Sequence, residues 1–152
     1  MELDKTDGRL LSALQTNAHL TSQELGEVLG LSPSQVGRRR QRLECEGYIT
    51  GYAARLDAEK LGLGVQAFLQ VQLATHAPDA ANELKEMLAK LPAVTGAWAM
   101  TGDADYLLRV VCEDLPALNH IIHDILLPHT AVSRVHSQIV MNQFKADAPL
   151  PT

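Results

Sequence analysis

Apolar residues recur at helical spacing in three short stretches at the beginning of the chain. In the first stretch, Leu10, Leu11 and Leu14 form one apolar stripe. Asp4 and Asp7 stand at the head of that stripe, where acidic residues favour a helix start. The pattern predicts a short amphipathic helix.

Two further helix starts follow, each with an N-terminal capping signal. Thr21 and Glu24 fit a capping box at the head of a second helix. Ser32 is a suitable cap for a third, because Pro33 then occupies the first helical position. Three short helices with a tight turn between the second and third predict a helix-turn-helix unit. An ordinary small helical bundle is the alternative.

In the second part of the chain, the hydrophobic period changes from that of a helix to that of a strand. The predicted elements are a strand over 65–73, a helix over 78–90, two strands around a Gly-Asp turn within 94–112, a helix over 115–126 and a strand within 131–141. This β-α-β-β-α-β order is the ferredoxin-like split motif. It predicts a four-stranded antiparallel sheet with two helices on one face.

The predicted fold class is therefore α+β, with an N-terminal helix-turn-helix domain followed by a ferredoxin-like β-α-β-β-α-β domain. Residues 48–57 carry a glycine turn between two short β-prone pieces, which fits a small wing or a linker strand. The predicted spans are 1–50 for the helix-turn-helix domain, 51–64 for a linker or short strand, 65–142 for the ferredoxin-like domain and 143–152 for a C-terminal tail.

The face of the sheet away from the helices is expected to be uncovered. It would carry three glutamines, Gln66, Gln70 and Gln72, together with Phe68 and Val111. A half-polar, half-apolar open face usually finds a partner, and a second copy of the chain is the simplest one. The pattern therefore predicts a homodimer.

Composition narrows the class of protein. With 152 residues and 46% hydrophobic content, the chain is long and apolar enough for one or two packed domains. It has no apolar run near the roughly 20 residues that cross a bilayer, and its acidic beginning lacks the layout of a secretory signal. Cys45 and Cys112 make neither a disulfide framework nor a CxxC metal motif. We expect a cytoplasmic protein with reduced thiols and no membrane contact.

Positive charge is concentrated in the third predicted helix. The formal net charge is −5, yet residues 32–43 contain four arginines and no acidic residue. The overall charge argues against a general polyanion binder, whereas the local charge indicates one focused contact. A solvated charged face is the alternative, but such faces usually mix acidic and basic residues. The third helix is therefore predicted to contact duplex DNA.

A helical wheel orients this helix. Val36 and Leu43 define its buried side, and Arg38 and Arg42 fall opposite them. Arg40 lies nearer the buried stripe, so its stem is expected to pack while its guanidinium reaches solvent. The exposed side suits a major groove, because arginine binds guanine bidentately and glutamine pairs with adenine. The predicted DNA contacts are Ser32, Ser34, Gln35, Arg38, Arg39, Gln41 and Arg42.

The order of these motifs resembles a known family. The stretches LSPSQVGRRRQRLECEGYITGY and TGDADYLLRV resemble the Lrp/AsnC (feast/famine) family of bacterial and archaeal transcription regulators. The resemblance covers essentially the whole chain. It implies a DNA-binding domain joined to a ligand-sensing and oligomerisation domain that dimerises through its sheets. In this family, dimers assemble further to tetramers or octamers, and small amino acids bind at contacts between dimers.

Carried onto this chain, the resemblance places the recognition helix at residues 32–46. Arg39 and Arg42 stand where the family commonly has basic residues, whereas Arg40 stands where an apolar residue is usual. The family's ligand-site signature, a Gly-Asp-x-Asp turn, falls on residues 102–105, and its third residue, here alanine, is often larger in relatives. The implied effector contacts are Thr101, Gly102, Asp103, Ala104, Asp105, His136 and Ser137.

The chemistry of this turn fits an amino-acid ligand. The carboxylates of Asp103 and Asp105 suit an ammonium group, and the backbone N–H groups of the glycine-containing turn suit a carboxylate. An ordinary β-turn is the alternative, since Gly-Asp is common in turns for conformational reasons. The residues alone favour the ordinary turn, and the resemblance favours the ligand site.

Metal and catalytic sites are not expected. His120 and His123 are three residues apart, which does not match the i,i+4 histidine pair of a helical zinc site. Asp103 and Asp105 could form a catalytic carboxylate pair, but no nucleophile or phosphate loop accompanies them. We therefore expect no enzymatic activity and no required cofactor or metal.

Two functions from different classes remain. The first is a sequence-specific transcription regulator that responds to a small amino-acid effector. The second is an amino-acid-sensing oligomer, or a nucleoid-architectural protein, without effector-gated DNA readout. In a sensor that does not bind DNA, the arginines would meet an acidic protein. Salt dependence separates these functions, because neutralising DNA phosphates releases counterions and makes affinity fall steeply with salt.

Overall fold

The computed structural model describes residues 3–152, which divide into two compact units. The first unit contains the chain up to Arg55 together with residues 144–152, and the second contains residues 56–143. Each unit has a hydrophobic core of its own. Within the described residues, no helix is both long and apolar enough to cross a membrane.

Three helices build the first unit, and all three begin where the capping signals predict. They are α1 (Lys5–Thr16), α2 (Ser22–Leu29) and α3 (Pro33–Cys45). Each begins with a capping box, in which the cap and the third helical residue exchange backbone and side-chain hydrogen bonds. The second helix ends at Gly30, whose φ of 70° lies in the left-handed region. The three cap residues are Asp4, Thr21 and Ser32.

The predicted apolar stripes meet in the core of the first unit. This core consists of Leu10, Leu11, Leu14, Leu25, Leu29, Val36 and Leu43. The segment 48–57, all of which the structure describes, forms neither the wing nor the linker strand. Its β-prone pieces are too short to pair, and Ile49 packs against the helical core instead.

The second unit has the predicted ferredoxin-like topology. Its elements are β1 (Val65–Leu73), α4 (Pro78–Ala89), β2 (Val94–Ala99), β3 (Tyr106–Cys112), α5 (Leu115–His120) and β4 (Val132–Ile139). The strands pair antiparallel in the order β2-β3-β1-β4. On the face towards the core, Leu69 and Leu108 are fully buried beneath Leu84 of α4. On the other face, Phe68 lies opposite Arg109 across the β1–β3 ladder.

The last predicted helix changes its winding halfway. The sequence predicts one helix over 115–126, but after α5 the residues Ile121–Leu126 form a π-helix, in which the amide of Leu127 donates to Ile122 at 2.9 Å. The wider turn rotates the apolar face by about one residue. Leu126 is fully buried as a result, whereas Ile125 is only partly buried.

Candidate DNA-binding and effector sites

The third helix presents a polar side to solvent, as its sequence predicts. Ser34, Gln35, Arg38 and Gln41 are exposed, while Val36 on the opposite side is fully buried. Exposure of these four side chains agrees with the helical wheel. Their contact with DNA stays a prediction.

The cap of this helix uses part of the predicted polar set. The amide of Ser32 donates to Oε1 of Gln35 at 2.9 Å, and the amide of Gln35 donates to the Ser32 hydroxyl at 3.3 Å. This capping box fixes the first turn of α3. Ser32 therefore has a structural role, and the capping box uses the Oε1 atom of Gln35 but not its amino group.

Two of the predicted DNA contacts form ion pairs inside the unit. Arg42 Nη2 donates to Asp7 Oδ2 at 2.6 Å, and Arg39 Nη1 donates to Asp7 Oδ1 at 2.7 Å. The same Arg39 nitrogen reaches Asp4 Oδ2 at 2.7 Å. Both arginines thus bind α3 to the beginning of α1. Arg42 shares the polar side of α3 with Gln35 and Arg38, but it is only 30% exposed, because it pairs with an acidic residue on another helix that a helical wheel cannot show.

The centre of this cluster is the side chain of Asp7, which is only 1% exposed. Burial raises the pKa of Asp7, but hydrogen bonds from Arg39, the Asp4 backbone and Arg42 outweigh it and hold the pKa below its ordinary value. The pKa of Arg39 is raised by its hydrogen bonds to Asp4 and Asp7. Within residues 3–152, Arg42 Nε is buried without a hydrogen-bond partner. The pKa shifts of Asp7 and Arg39 therefore favour their charged forms, although not every hydrogen-bond donor of the cluster has an acceptor.

Arg40 anchors the chain that follows α3. Its guanidinium lies 4.9 Å from the centroid of the Tyr52 ring, and its Nε donates to the Tyr52 hydroxyl at 3.0 Å. The same hydroxyl donates to Glu44 Oε1 at 2.8 Å. The side chain of Arg40 is partly buried, as predicted for its stem, but its guanidinium meets Tyr52 and Glu44 rather than solvent alone.

A cationic cleft opens beside the start of α3. It has a volume of about 310 Å³ and is lined by Leu31, Gln35, Arg38, Arg39 and Arg42. Guanidinium groups around a polar opening suit a phosphate, because they supply several donors and positive charge together. The cleft adjoins the exposed side of the helix and extends the surface that an anionic partner would meet.

A second cavity lies on the helix-free face of the sheet, in the other unit. Its volume is about 240 Å³, and its lining joins two cross-strand residue pairs and the predicted turn. Gln70 pairs with His136 and Gln72 pairs with Arg134 across the β1–β4 ladder. The lining residues are Gln70, Gln72, Asp103, Ala104, Arg134 and His136.

The structure divides the predicted effector residues into two groups. Asp103, Ala104 and His136 line the cavity. Asp105 instead fixes the turn to β1, since its carboxylate accepts from the Leu73 amide at 2.8 Å. Ser137 lies opposite the buried Leu69, so it belongs to the face that packs on the helices.

Two other predicted effector residues belong to the same turn but lie outside the cavity lining. Thr101 and Gly102 are exposed in the turn but do not line the cavity. The φ of Gly102 is 100°, which explains why glycine stands there. Arg134, which was not among the predicted effector contacts, brings a cation to the cavity beside Asp103. The signal was strand alternation, which places Arg134, His136 and Gln72 on one face.

Two histidines of the second unit take part in local contacts. His120 Nδ1 lies 2.7 Å from Asp124 Oδ2, and His129 Nδ1 accepts from the Ala131 amide at 3.1 Å. Within the described residues, no three His, Cys, Asp or Glu side chains come together in a way that could hold a metal ion. The two cysteines are free, with Cys112 buried and Cys45 exposed.

Comparison with known proteins gives both units the same assignment. Residues 3–44 match the AsnC-type helix-turn-helix domain, and residues 66–150 match the Lrp/AsnC ligand binding domain. Among similar proteins, the DNA-binding transcriptional activator DecR of Escherichia coli is 34% identical over 149 residues, which covers 98% of each chain. The Bkd operon transcriptional regulator of Pseudomonas aeruginosa is 37% identical over 140 residues, 92% of each chain.

Solved structures agree with the sequence matches. A crystal structure of a transcriptional regulator–L-Met complex from Neisseria meningitidis superposes with a TM-score of 0.95 at 40% identity, over 99% of this chain and 97% of that one. An AsnC family transcriptional regulator from Agrobacterium tumefaciens superposes with a TM-score of 0.91 at 31% identity, over 98% and 97% of the two chains. From its two matched domains, its curated relatives and its fold, the chain belongs to the Lrp/AsnC family of DNA-binding transcriptional regulators.

Proposed function

We propose that the protein regulates transcription by binding duplex DNA through the exposed side of α3, under the control of a small amino-acid effector. The observation that carries the DNA-binding half is a helix-turn-helix whose third helix exposes a row of polar and cationic side chains on the side away from the core. Ser34, Gln35, Arg38 and Gln41 are the residues of that surface. A helix of this kind fits the major groove, where side-chain donors and acceptors meet base edges.

The arginines of α3 have different tasks in this proposal. Arg38 is exposed and binds the DNA directly. Arg39 and Arg42 line the cationic cleft while they are paired with Asp7, so they orient the helix and leave only part of their charge to a phosphate. Ser32 supports the first turn through its capping box. Direct contact and orientation of the helix are therefore separable by mutation.

The experiment that tests the DNA-binding role compares Arg38→Ala with Gln23→Ala. Both side chains are exposed on helices of the first unit, but Gln23 is on α2. Loss of one phosphate or base contact at Arg38 should weaken duplex binding and, for a phosphate contact, reduce the slope of log affinity against log salt by about one. Gln23→Ala should change neither quantity. Equal affinities for Arg38→Ala and the wild type at every salt concentration would refute the role of Arg38.

We assign the effector to the cavity on the helix-free face of the sheet. An amino acid carries an ammonium group and a carboxylate, and the cavity offers Asp103 for the first and Arg134 for the second. Gln70, Gln72 and His136 supply further hydrogen-bonding groups around them. The volume of about 240 Å³ suits a small ligand. The bound L-Met of the similar Neisseria regulator supports an amino acid as the ligand class.

A thermal-shift screen with the twenty amino acids tests this assignment. A ligand that binds the native state stabilises it and therefore raises its melting temperature. At a ligand concentration of one hundred times the dissociation constant, the added stability is about 2.7 kcal/mol. The effector should stabilise the wild type but not Asp103→Asn or Arg134→Gln. His123→Gln, on the exposed π-helix, serves as the control that keeps the response. A shift of the same size in all four proteins would place the ligand elsewhere.

The proposed mechanism is a shift between populations of assembled states. The β1–β3 part of the helix-free face, where Phe68 lies opposite Arg109, joins two copies into a dimer. Dimers join further to tetramers or octamers at the β4 edge, so that the effector cavity lies at the contact between dimers. Bound effector then favours one assembly or one placement of the DNA-binding heads. Several heads on one DNA benefit from high effective concentration, so weak single contacts suffice. The protein acts in the cytoplasm, where it meets its DNA.

A further inference from the structure

Residues 144–152 lie against the first unit rather than extending freely from the last strand. The Gln15 side chain of α1 makes two hydrogen bonds to the backbone of Leu150. Its Oε1 accepts from the Leu150 amide at 2.6 Å, and its Nε2 donates to the Leu150 carbonyl at 3.0 Å. The primary amide thereby pairs with an extended backbone in both directions, as a neighbouring strand would.

Further contacts continue along the same segment. The Arg55 Nη1 group donates to the carbonyl of Asp147 at 3.0 Å. Thr152 lies over α1 at Gly8, where an added Cβ would stand 3.6 Å from its carbonyl carbon. Beyond Thr152 a cleft of about 790 Å³ continues along the helix, past Ser12 and Val28. Contacts therefore extend over six residues of the segment, from 147 to 152.

The sequence of the segment suits docking in an extended form. Pro149 and Pro151 flank Leu150 and fix the backbone φ on both sides of it. Extended, proline-rich chain loses little conformational entropy when it binds, because its unbound state is already restricted. Neither proline has an N–H group to leave unpaired. The one amide between them is the one that Gln15 accepts.

We propose that the outer side of α1 is a docking surface for residues 144–152 of the same chain, and that this segment acts as a strap on the DNA-binding unit. The chain leaves the first unit after Arg55 and re-enters it at Phe144. With the strap seated, the helix-turn-helix is held by two connections to the rest of the chain. With the strap released, it is held by one, and its range of movement increases.

Hydrogen exchange at the Leu150 amide, read by residue-resolved mass spectrometry on the full chain, tests the docking. We expect exchange at least about ten times slower than in an unstructured peptide, because a docking free energy of about 1.4 kcal/mol is enough for a tenfold effect. Gln15→Ala should restore the unstructured rate. Alanine is the best helix former, so this variant keeps α1 folded. Gln15→Glu should keep part of the protection, because its carboxylate still accepts from the amide but no longer donates.

Two comparisons make the result decisive. Gln23→Ala should leave Leu150 as protected as in the wild type. Exchange of Leu150 at the unstructured rate in the wild type, or protection unchanged by Gln15→Ala, would overturn the docking. Protection that weakens on dilution would place the segment on a second copy and would overturn the strap as a contact within one chain.

The strap role has its own readout. A chain ending at Gln143 should be cut by trypsin after the exposed Lys60 several times faster than the full chain, because loss of the second connection allows the linker to open more often. Gln15→Ala should accelerate the cut in the same direction. Equal cleavage rates for the full and shortened chains would mean that the docked segment does not restrain the unit.

Discussion

The substitution Asp7→Asn tests how the recognition helix is held. It removes the charge that Arg39 and Arg42 share at 2.7 and 2.6 Å, while keeping the size of the side chain. Hydrogen bonds to a charged group contribute about 1.5–3 kcal/mol each, so two of them are worth about 3–6 kcal/mol when fully buried. The side chains of Arg39 and Arg42 are 28% and 30% exposed, so solvent replaces part of the loss.

After that discount, we expect Asp7→Asn to destabilise the first unit by about 2–3 kcal/mol. In a unit of this size, 1 kcal/mol changes the melting temperature by about 4–8 °C, so a decrease of more than about 10 °C is expected. Thermal unfolding of the first unit, followed by helical circular dichroism, measures it. The effect should exceed an ordinary surface change several times over.

Asp4→Asn is the matched control from the same cluster. The Asp4 side chain is 50% exposed, and asparagine caps a helix as well as aspartate does. Its substitution should therefore change the melting temperature far less than Asp7→Asn. Equal decreases for the two variants would refute the argument that burial of Asp7 makes the cluster important.

Acid should weaken the same ion-pair cluster without a mutation, because it protonates Asp7. The pKa of Asp7 is held below its ordinary value of 3.8, so the folded state binds its proton less readily than the unfolded state does. The resulting stability is present above that ordinary value and is lost as the pH falls through the lower folded pKa. The melting temperature of the wild type should therefore fall in that acid range, and the fall should be smaller in Asp7→Asn.

Three substitutions check other parts of the structure by thermal unfolding and ligand response. Gly26→Ala should destabilise by about 1–3 kcal/mol, because its Cβ would stand 2.6 Å from the Leu31 carbonyl oxygen. Gly37→Ala, where the nearest atom is 3.9 Å away, should instead stabilise α3 by about 0.5–1 kcal/mol; a destabilised Gly37→Ala or a neutral Gly26→Ala would contradict the packing. Asp105→Ala removes the 2.8 Å bond to the Leu73 amide and should cost about 1–2 kcal/mol and weaken effector binding. Full effector affinity in Asp105→Ala would mean that the turn needs no anchor to β1.

Local signals predicted most of the fold. Capping residues act within one turn, so Thr21 and Ser32 fixed the helix starts without knowledge of the tertiary structure. Strand alternation in residues 65–73 likewise identified the buried face of β1. The π-helix at Ile121–Leu126 was missed, because the same apolar residues fit an α-helix equally well.

The candidate sites were predicted less completely, because they depend on contacts between distant parts of the chain. The wheel could not show that Arg42 would meet Asp7, which is 35 residues away in sequence. Arg134 was overlooked at the effector cavity, because its neighbours Asp103 and Gln72 come from two other segments. Residue type identified the chemistry, and the topology decided which residues share a cavity.

The coupling between effector and DNA tests the account most directly. Duplex affinity would be measured with and without saturating effector, for the wild type and for Asp103→Asn, at one salt concentration. We expect effector to change the affinity of the wild type by about 5–150-fold, to leave Asp103→Asn unchanged, and to have its own affinity changed by DNA by the same factor. Unchanged DNA affinity of the wild type at saturating effector would contradict regulation through this cavity.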